Sequence, residues 1–208
     1  MKDTIRPGTV AWTGDNPFVY LKTPGEDDWS ALALYFRIAL SPLGPGQAML
    51  LVQPPHLAQG GRPLCFTDNA PMAAYLLQHF AAQFGLFRPY ASQLQEAQLC
   101  EGSRFDSAGS NHALHQQTAH HSASGRHMAM RWTGLQTPFM VDVPRDKTQT
   151  GAHEMFTVFQ PAAAAALHLD GQRLPGATVE RDFFGTRAQS ASLAFSETWL
   201  EVLPPAAP

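Results

Sequence analysis

The sequence is expected to fold as a mainly β protein, an antiparallel β-barrel or sandwich with one principal α-helix near residues 70 to 84. Apolar and polar residues alternate with period two in several segments, most clearly in WSALALYFRIAL, residues 29–40. Seventeen prolines and sixteen glycines interrupt the chain too often for long helices. One stretch, TDNAPMAAYLLQHFAAQFG, carries a helical stripe between a capping cluster and a terminal glycine.

Thr9 to Thr13 and Phe18 to Lys22 read as strands parted by the turn cluster GDNP. In the third strand Leu32, Leu34, Phe36, Ile38 and Leu40 share one strongly apolar face, opposite Ala33, Tyr35 and Arg37. PLGPG ends it, because proline cannot donate to a ladder and glycine supplies turn geometry. AMLLVQ reads as the next strand and PPHLAQGGRP as a loop. For the helix, Thr67, Asp68 and Asn69 offer N-caps, Pro71 is tolerated in the first turn, and Gly85 can close the end. Ala73, Leu76, Leu77, Phe80 and Phe84 form its apolar face, with Gln83 intruding at the edge.

Beyond RPYAS come further strand signals: LQEAQLCE, a histidine-rich pair, PFMVDV, HEMFTVF, AAALHL, ATVERDFF and ASLAFSETWLEV. Asp170-Gly171 between apolar stretches marks a hairpin. The alanine run at 162–166 has helical propensity, but Pro161 before it and the hairpin after it favour a strand. Residues 1–203 are expected to form a single β-rich domain, with 204–208 as a loose tail.

A net charge of −3 and the lack of any lysine/arginine block speak against nucleic acid as a partner. Two cysteines, Cys65 and Cys100, are too few for a disulfide framework and read as reduced. The opening MKDTIRPGTVAW lacks the apolar core of a signal peptide, and no apolar run is long enough to span a bilayer as a helix, so a cytoplasmic protein without membrane contact is expected. GxGxxG, P-loop, GxSxG and CxxC motifs are absent, and HEMFT at His153 lacks the second histidine of a zincin helix.

Roughly ten strands and one helix suit a barrel whose closure removes edges and leaves a mouth for a ligand. In outline this resembles a calycin-type (lipocalin-like) barrel. The resemblance is architectural: the glycine-x-tryptophan signature of that first strand is missing, since here Trp12 precedes Gly14.

Five of the nine histidines fall between His112 and His127. SASG is turn material, so the segment reads as a hairpin with His120 opposite His127, Thr118 opposite Ala129 and Gln116 opposite Arg131. The other face carries His115, Gln117, Ala119 and His121 against Met128, Met130 and Trp132. Three readings stand: a solvated edge, a polar patch that orients an apolar ligand inside a cavity, or a metal or haem site. The last suffers from phase, because His120 and His121 point to opposite faces and zinc needs three or four converging ligands. No metal and no cofactor are expected.

In ASLAFSETWLEV strict alternation puts Leu193, Phe195, Glu197 and Trp199 on one face. If the aromatics face inward, Glu197 goes with them and must be paired, hydrogen-bonded or protonated. It serves either as a structural partner of an arginine, a histidine or a hydroxyl, or as a proton-transfer group. Glu180 and Asp182 share a face two residues apart, but Arg181 and Arg187 beside them make a solvated rim equally plausible.

The expected function is binding of a small, largely apolar molecule in a β-barrel cavity. Gln116, His120, His127 and Arg131, with Trp132 and Trp199, are the expected ligand contacts. The alternatives are a cofactor-independent lyase, hydratase or isomerase using Glu197 or a histidine, and a structural or interaction module, with a homodimer possible.

Overall fold

The computed structural model describes residues 8–109 and 113–202. The expectations for His112 and for the C-terminal tail lie outside the described residues. The strands are β1 (Gly8–Asp15), β2 (Phe18–Lys22), β3 (Trp29–Leu40), β4 (Gly46–Val52) and β5 (Leu64–Thr67), followed by β6 (Gln98–Glu101), β7 (Arg104–Ala108), β8 (Leu114–His121), β9 (Arg126–Leu135) and β10 (Phe139–Val143). The chain continues through β11 (Glu154–Leu169), β12 (Gln172–Arg173), β13 (Glu180–Phe183), β14 (Thr186–Gln189) and β15 (Ala191–Val202). The helices are α1 (Pro54–Leu57), α2 (Ala70–His79) and α3 (Ala91–Gln95). Strand takes 55% of the described residues against 15% for helix, so the mainly β expectation holds.

Thirteen strands form one large sheet in the order β6-β5-β4-β3-β1-β15-β11-β9-β8-β7, with β2, β10 and β12 attached beside this path. β13 and β14 form a separate two-stranded hairpin. The sheet is mixed rather than wholly antiparallel, because β5 and β6 pair in parallel. Parallel neighbours need a crossover of a dozen residues or more, and α2 and α3 supply it. Among the described residues no pairing joins the terminal strands β6 and β7. Among the described residues no helix is long and apolar enough to cross a membrane.

Helix α2 begins as its sequence dictates. The Asn69 side chain accepts a hydrogen bond from the Met72 amide at 3.1 Å and donates to the carbonyls of Leu43 and Pro45, each at 3.0 Å. It stops at His79, short of the expected residue 84, and a 3-10 turn follows at Ala81–Gln83. Phe80 there packs edge-on against Trp12 and Trp199. The buried Ala81 and Ala82 let the chain turn beneath it. Tertiary packing overrides helix propensity at this point.

Strand β3 has its expected bounds but not its expected single buried face. Leu32, Leu34, Phe36 and Ile38 enter one apolar cluster with α2. Ala31, Ala33 and Tyr35 enter a second with Met128, Met130 and Trp132 of β9. The alanines leave room for those larger side chains, and close packing of complementary volumes stabilises both faces.

Segments 153–159 and 164–169, expected as two strands, belong to the single strand β11, which runs through Pro161. Up to Pro161 it pairs with β15, and from Ala162 onward with β9. The proline sits where the ladder changes partners, so its missing N–H costs little, while its carbonyl accepts from the Gln136 amide at 2.7 Å. Asp170 and Gly171 close β11 onto β12 with φ of 52° and 81°, as a two-residue hairpin of this composition requires.

Candidate functional site

The site is built by one irregularity in β15. Its register against β11 shifts so that Phe156 faces Thr198 but Val158 faces Phe195. Ser196 is the extra residue, at φ 53°, and its amide donates to Asp15 Oδ1 at 3.1 Å. Arg37 in turn pairs with Asp15. Gly14 makes this approach possible: a Cβ there would lie 2.0 Å from the Arg37 carbonyl oxygen. The bulge inverts the alternation. Leu193 and Ala194 enter different clusters, Glu197 and Trp199 follow the side of Ala194, and Phe195 turns outward at 39% exposure. The expected face shared by Leu193, Phe195, Glu197 and Trp199 is therefore corrected: only Glu197 and Trp199 remain together.

Glu197 is buried, at 6% exposure. Its Oε1 accepts from Asn16 Nδ2 and from Trp199 Nε1, both at 3.0 Å. These partners are an amide and an indole, in place of the expected arginine, histidine or hydroxyl. Neutral donors stabilise the carboxylate less than a counter-charge would. Burial accordingly pushes the pKa up to about 7, the two hydrogen bonds lowering it and nearby Asp15 adding to the rise. Among the described residues the buried Oδ1 of Asn16 has no hydrogen-bond partner.

Glu197 and Trp199 line a cavity of about 310 Å³. Phe18 and Tyr20 of β2 form one wall, Met155 and Phe159 of β11 another. The segment 84–87 after α2, the loop 147–149 and the hairpin β13–β14 complete it. From that hairpin Arg181 reaches over three rings, with its guanidinium carbon 5.9 Å from Phe18, 5.4 Å from Tyr20 and 5.0 Å from Phe183. Burial holds its pKa below the ordinary arginine value. The Tyr20 phenol is pushed well up by burial, with Arg181 opposing and Glu197 reinforcing the shift.

The histidine hairpin has the expected register, with His120 opposite His127 and Gln116 opposite Arg131. It does not bring those residues to the cavity. His120 and Arg131 are exposed, His127 and Gln116 half-buried, and none of the four lines the cavity. Arg131 Nε donates to Gln116 Oε1 across the outer face. Trp132 is fully buried in the second cluster, its indole donating to the Phe18 carbonyl at 3.1 Å. The expected ligand patch is thus corrected to an outward-facing one. The two faces compete for burial, and burying Met128, Met130 and Trp132 is worth roughly 1.5–3 kcal/mol per side chain, whereas burying histidine and arginine costs desolvation. His115 lies on the inner side and contacts Gln117 at 2.8 Å. Among the described residues no group of three or more His, Cys, Asp or Glu could hold a metal ion.

Asn16, Tyr20 and Arg181 were missed as site residues. Arg181 had a readable signal, since alternation in ERDF places it on the face of Phe183 and opposite Glu180 and Asp182. Glu180 pairs with Arg187 at 3.4 Å on the exposed side. Asn16 and Tyr20 carry no such local signal. Comparisons with family models, with curated proteins and with solved structures return no match for this chain.

Proposed function

We propose that the chain binds a small, largely apolar molecule in the cavity between β2, β11, β15 and the β13–β14 hairpin. The observation that carries this reading is the cavity itself: about 310 Å³, walled by aromatic rings, with Glu197, Tyr20 and Arg181 along it. Ligand pockets are concave, mostly apolar and equipped with a few placed polar groups, from about 300 Å³ upward. On this reading the large sheet acts as the barrel-like cup implied by a calycin outline. The free, buried Cys65 and Cys100 suit a reducing compartment such as the cytoplasm. The polar role assigned to Gln116, His120, His127 and Arg131 passes to Glu197, Tyr20 and Arg181.

The test is titration with an apolar fluorophore followed through the tryptophan indole N–H resonances. The Trp199 signal should shift saturably while that of Trp132, in the other cluster, stays in place. Failure of any saturable binding, or equal shifts at both indoles, would refute the reading.

A second reading is favoured by one observation, the raised pKa of Glu197 beside an apolar cavity. A carboxyl poised near neutrality is suited to proton transfer, so the same cavity would house a cofactor-independent lyase, hydratase or isomerase. Incubation in D2O with molecules extracted from the protein distinguishes the two. Deuterium incorporation at carbon by the wild type but not by Glu197→Gln supports catalysis, and equal incorporation rejects it.

A further inference from the structure

Arg181 occupies a position that the chain itself leaves incomplete. Phe183 of the same hairpin is buried against Phe18 and Phe159, and this packing fixes the hairpin over the cavity. Arg181, two residues earlier, is thereby laid across the rings of Phe18, Tyr20 and Phe183. Stacking satisfies the flat faces of a guanidinium but not its five in-plane N–H donors. Its Nε is buried and meets no acceptor among the described residues. Among the described residues it forms no ion pair: Glu180 pairs with Arg187, Glu197 accepts from Asn16 and Trp199, and the neighbouring Asp182 acts on it through the field alone. The Tyr20 hydroxyl, on the same wall, likewise makes no hydrogen bond among the described residues.

Two donor groups without acceptors therefore line one apolar cavity. A buried donor left unmade costs on the order of 1–3 kcal/mol, more when charged. An acceptor brought by the ligand removes that cost, and the fork of an arginine fits a carboxylate with two parallel N–H···O bonds. Glu197 and Asp182 line the same cavity and disfavour a doubly charged group.

We infer that the ligand of this cavity is an apolar monocarboxylic acid, its carboxylate held by Arg181 and Tyr20 and its apolar body among Phe18, Phe159 and Phe183. This rests on the proposed cavity binding and assigns its ligand class. Arg181 becomes the anion anchor, and Tyr20 the second donor that sets the orientation of the head group.

The experiment compares decanoate, decanol and decyl phosphate at pH 6, where Glu197 is largely uncharged. Binding to the wild type, to Arg181→Gln and to Arg181→Lys is measured by calorimetry and by the Trp199 indole resonance. Wild type should prefer decanoate over decanol by roughly ten- to a hundredfold, the worth of a charge-assisted pair. Arg181→Gln should lose that preference while still binding decanol, and Arg181→Lys should keep part of it. Equal affinity of wild type for decanoate and decanol would overturn the anion anchor and leave the cavity reading intact. Tighter binding of decyl phosphate would overturn the carboxylate assignment. Binding of none of the three, with the Trp199 resonance unmoved, would remove both. Should Arg181→Gln fail to fold by circular dichroism, Arg181→Lys with Tyr20→Phe decides the matter: unchanged decanoate preference in both overturns the proposal.

Discussion

Replacing Glu197 with glutamine should stabilise the protein, and the gain should depend on pH with a definite sign. The side-chain pKa is about 7 in the folded chain against an ordinary 4.5. The folded state therefore holds a proton that the unfolded state has released between those two values, and stability falls as pH rises through that window. Below about pH 4.5 the carboxyl is neutral in both states and nothing is lost. Above about pH 7 the loss is complete and amounts to about 3 kcal/mol, at roughly 1.4 kcal/mol per tenfold change in acid dissociation. Glutamine keeps an oxygen that can accept from Asn16 and Trp199, the two bonds Glu197 makes at 3.0 Å. It thus imitates the protonated acid at every pH. Urea unfolding of both proteins at pH 4.5, 6 and 9 should give matching stabilities at the lowest pH and an advantage of about 3 kcal/mol for Glu197→Gln at the highest. Taking the difference between the proteins cancels the histidines His115, His153 and His168, whose burial-lowered pKa values act in the opposite direction. A difference that does not vary with pH, or a wild type more stable at pH 9, would refute the argument from desolvation.

Asn69→Ala should cost about 1–2 kcal/mol in unfolding free energy, because one side chain caps α2 and also holds the preceding loop through Leu43 and Pro45. Met130→Ala, in the second cluster, should cost roughly 2–5 kcal/mol in the same assay through the cavity it leaves. His120→Ala and His127→Ala should each change stability by no more than about 0.5 kcal/mol. They should leave fluorophore binding unchanged, since neither residue lines the cavity; weakened binding would return the histidine patch to the site.

Much of the fold follows from local rules. Alternation and the SASG turn suffice for the β8–β9 register, down to His120 opposite His127. The Asp170-Gly171 turn and the Asn69 cap depend on contacts only a few residues apart in sequence or on backbone angles that few residues accept. The bounds of β3 follow from the same period-two pattern. Its second buried face does not, because that depends on the partner supplied by β9, about a hundred residues later.

The candidate site lies on the other side of that division. Glu197 is buried as expected but not for the expected reason, since Phe195 faces outward and only Trp199 shares its side, and the side chains around it were not legible. The Ser196 bulge is held by Asp15, 181 residues away in sequence. That single extra residue turns Phe195 outward and aims Glu197 at Asn16. Arg181 read as part of a solvated rim until Phe18 and Tyr20, from the opposite end of the chain, were packed beneath it. The outward direction of the histidine face was decided by the greater burial gain of Met128, Met130 and Trp132. Sequence alone determined the turns, the helix cap and the alternation of β3, β8 and β9, because those preferences are set by each residue's own backbone and near neighbours, whereas the alternation of β15 is broken by a contact with distant Asp15. Only the tertiary structure decided which face is inside and which polar groups meet, because burial energy is settled between segments distant along the chain.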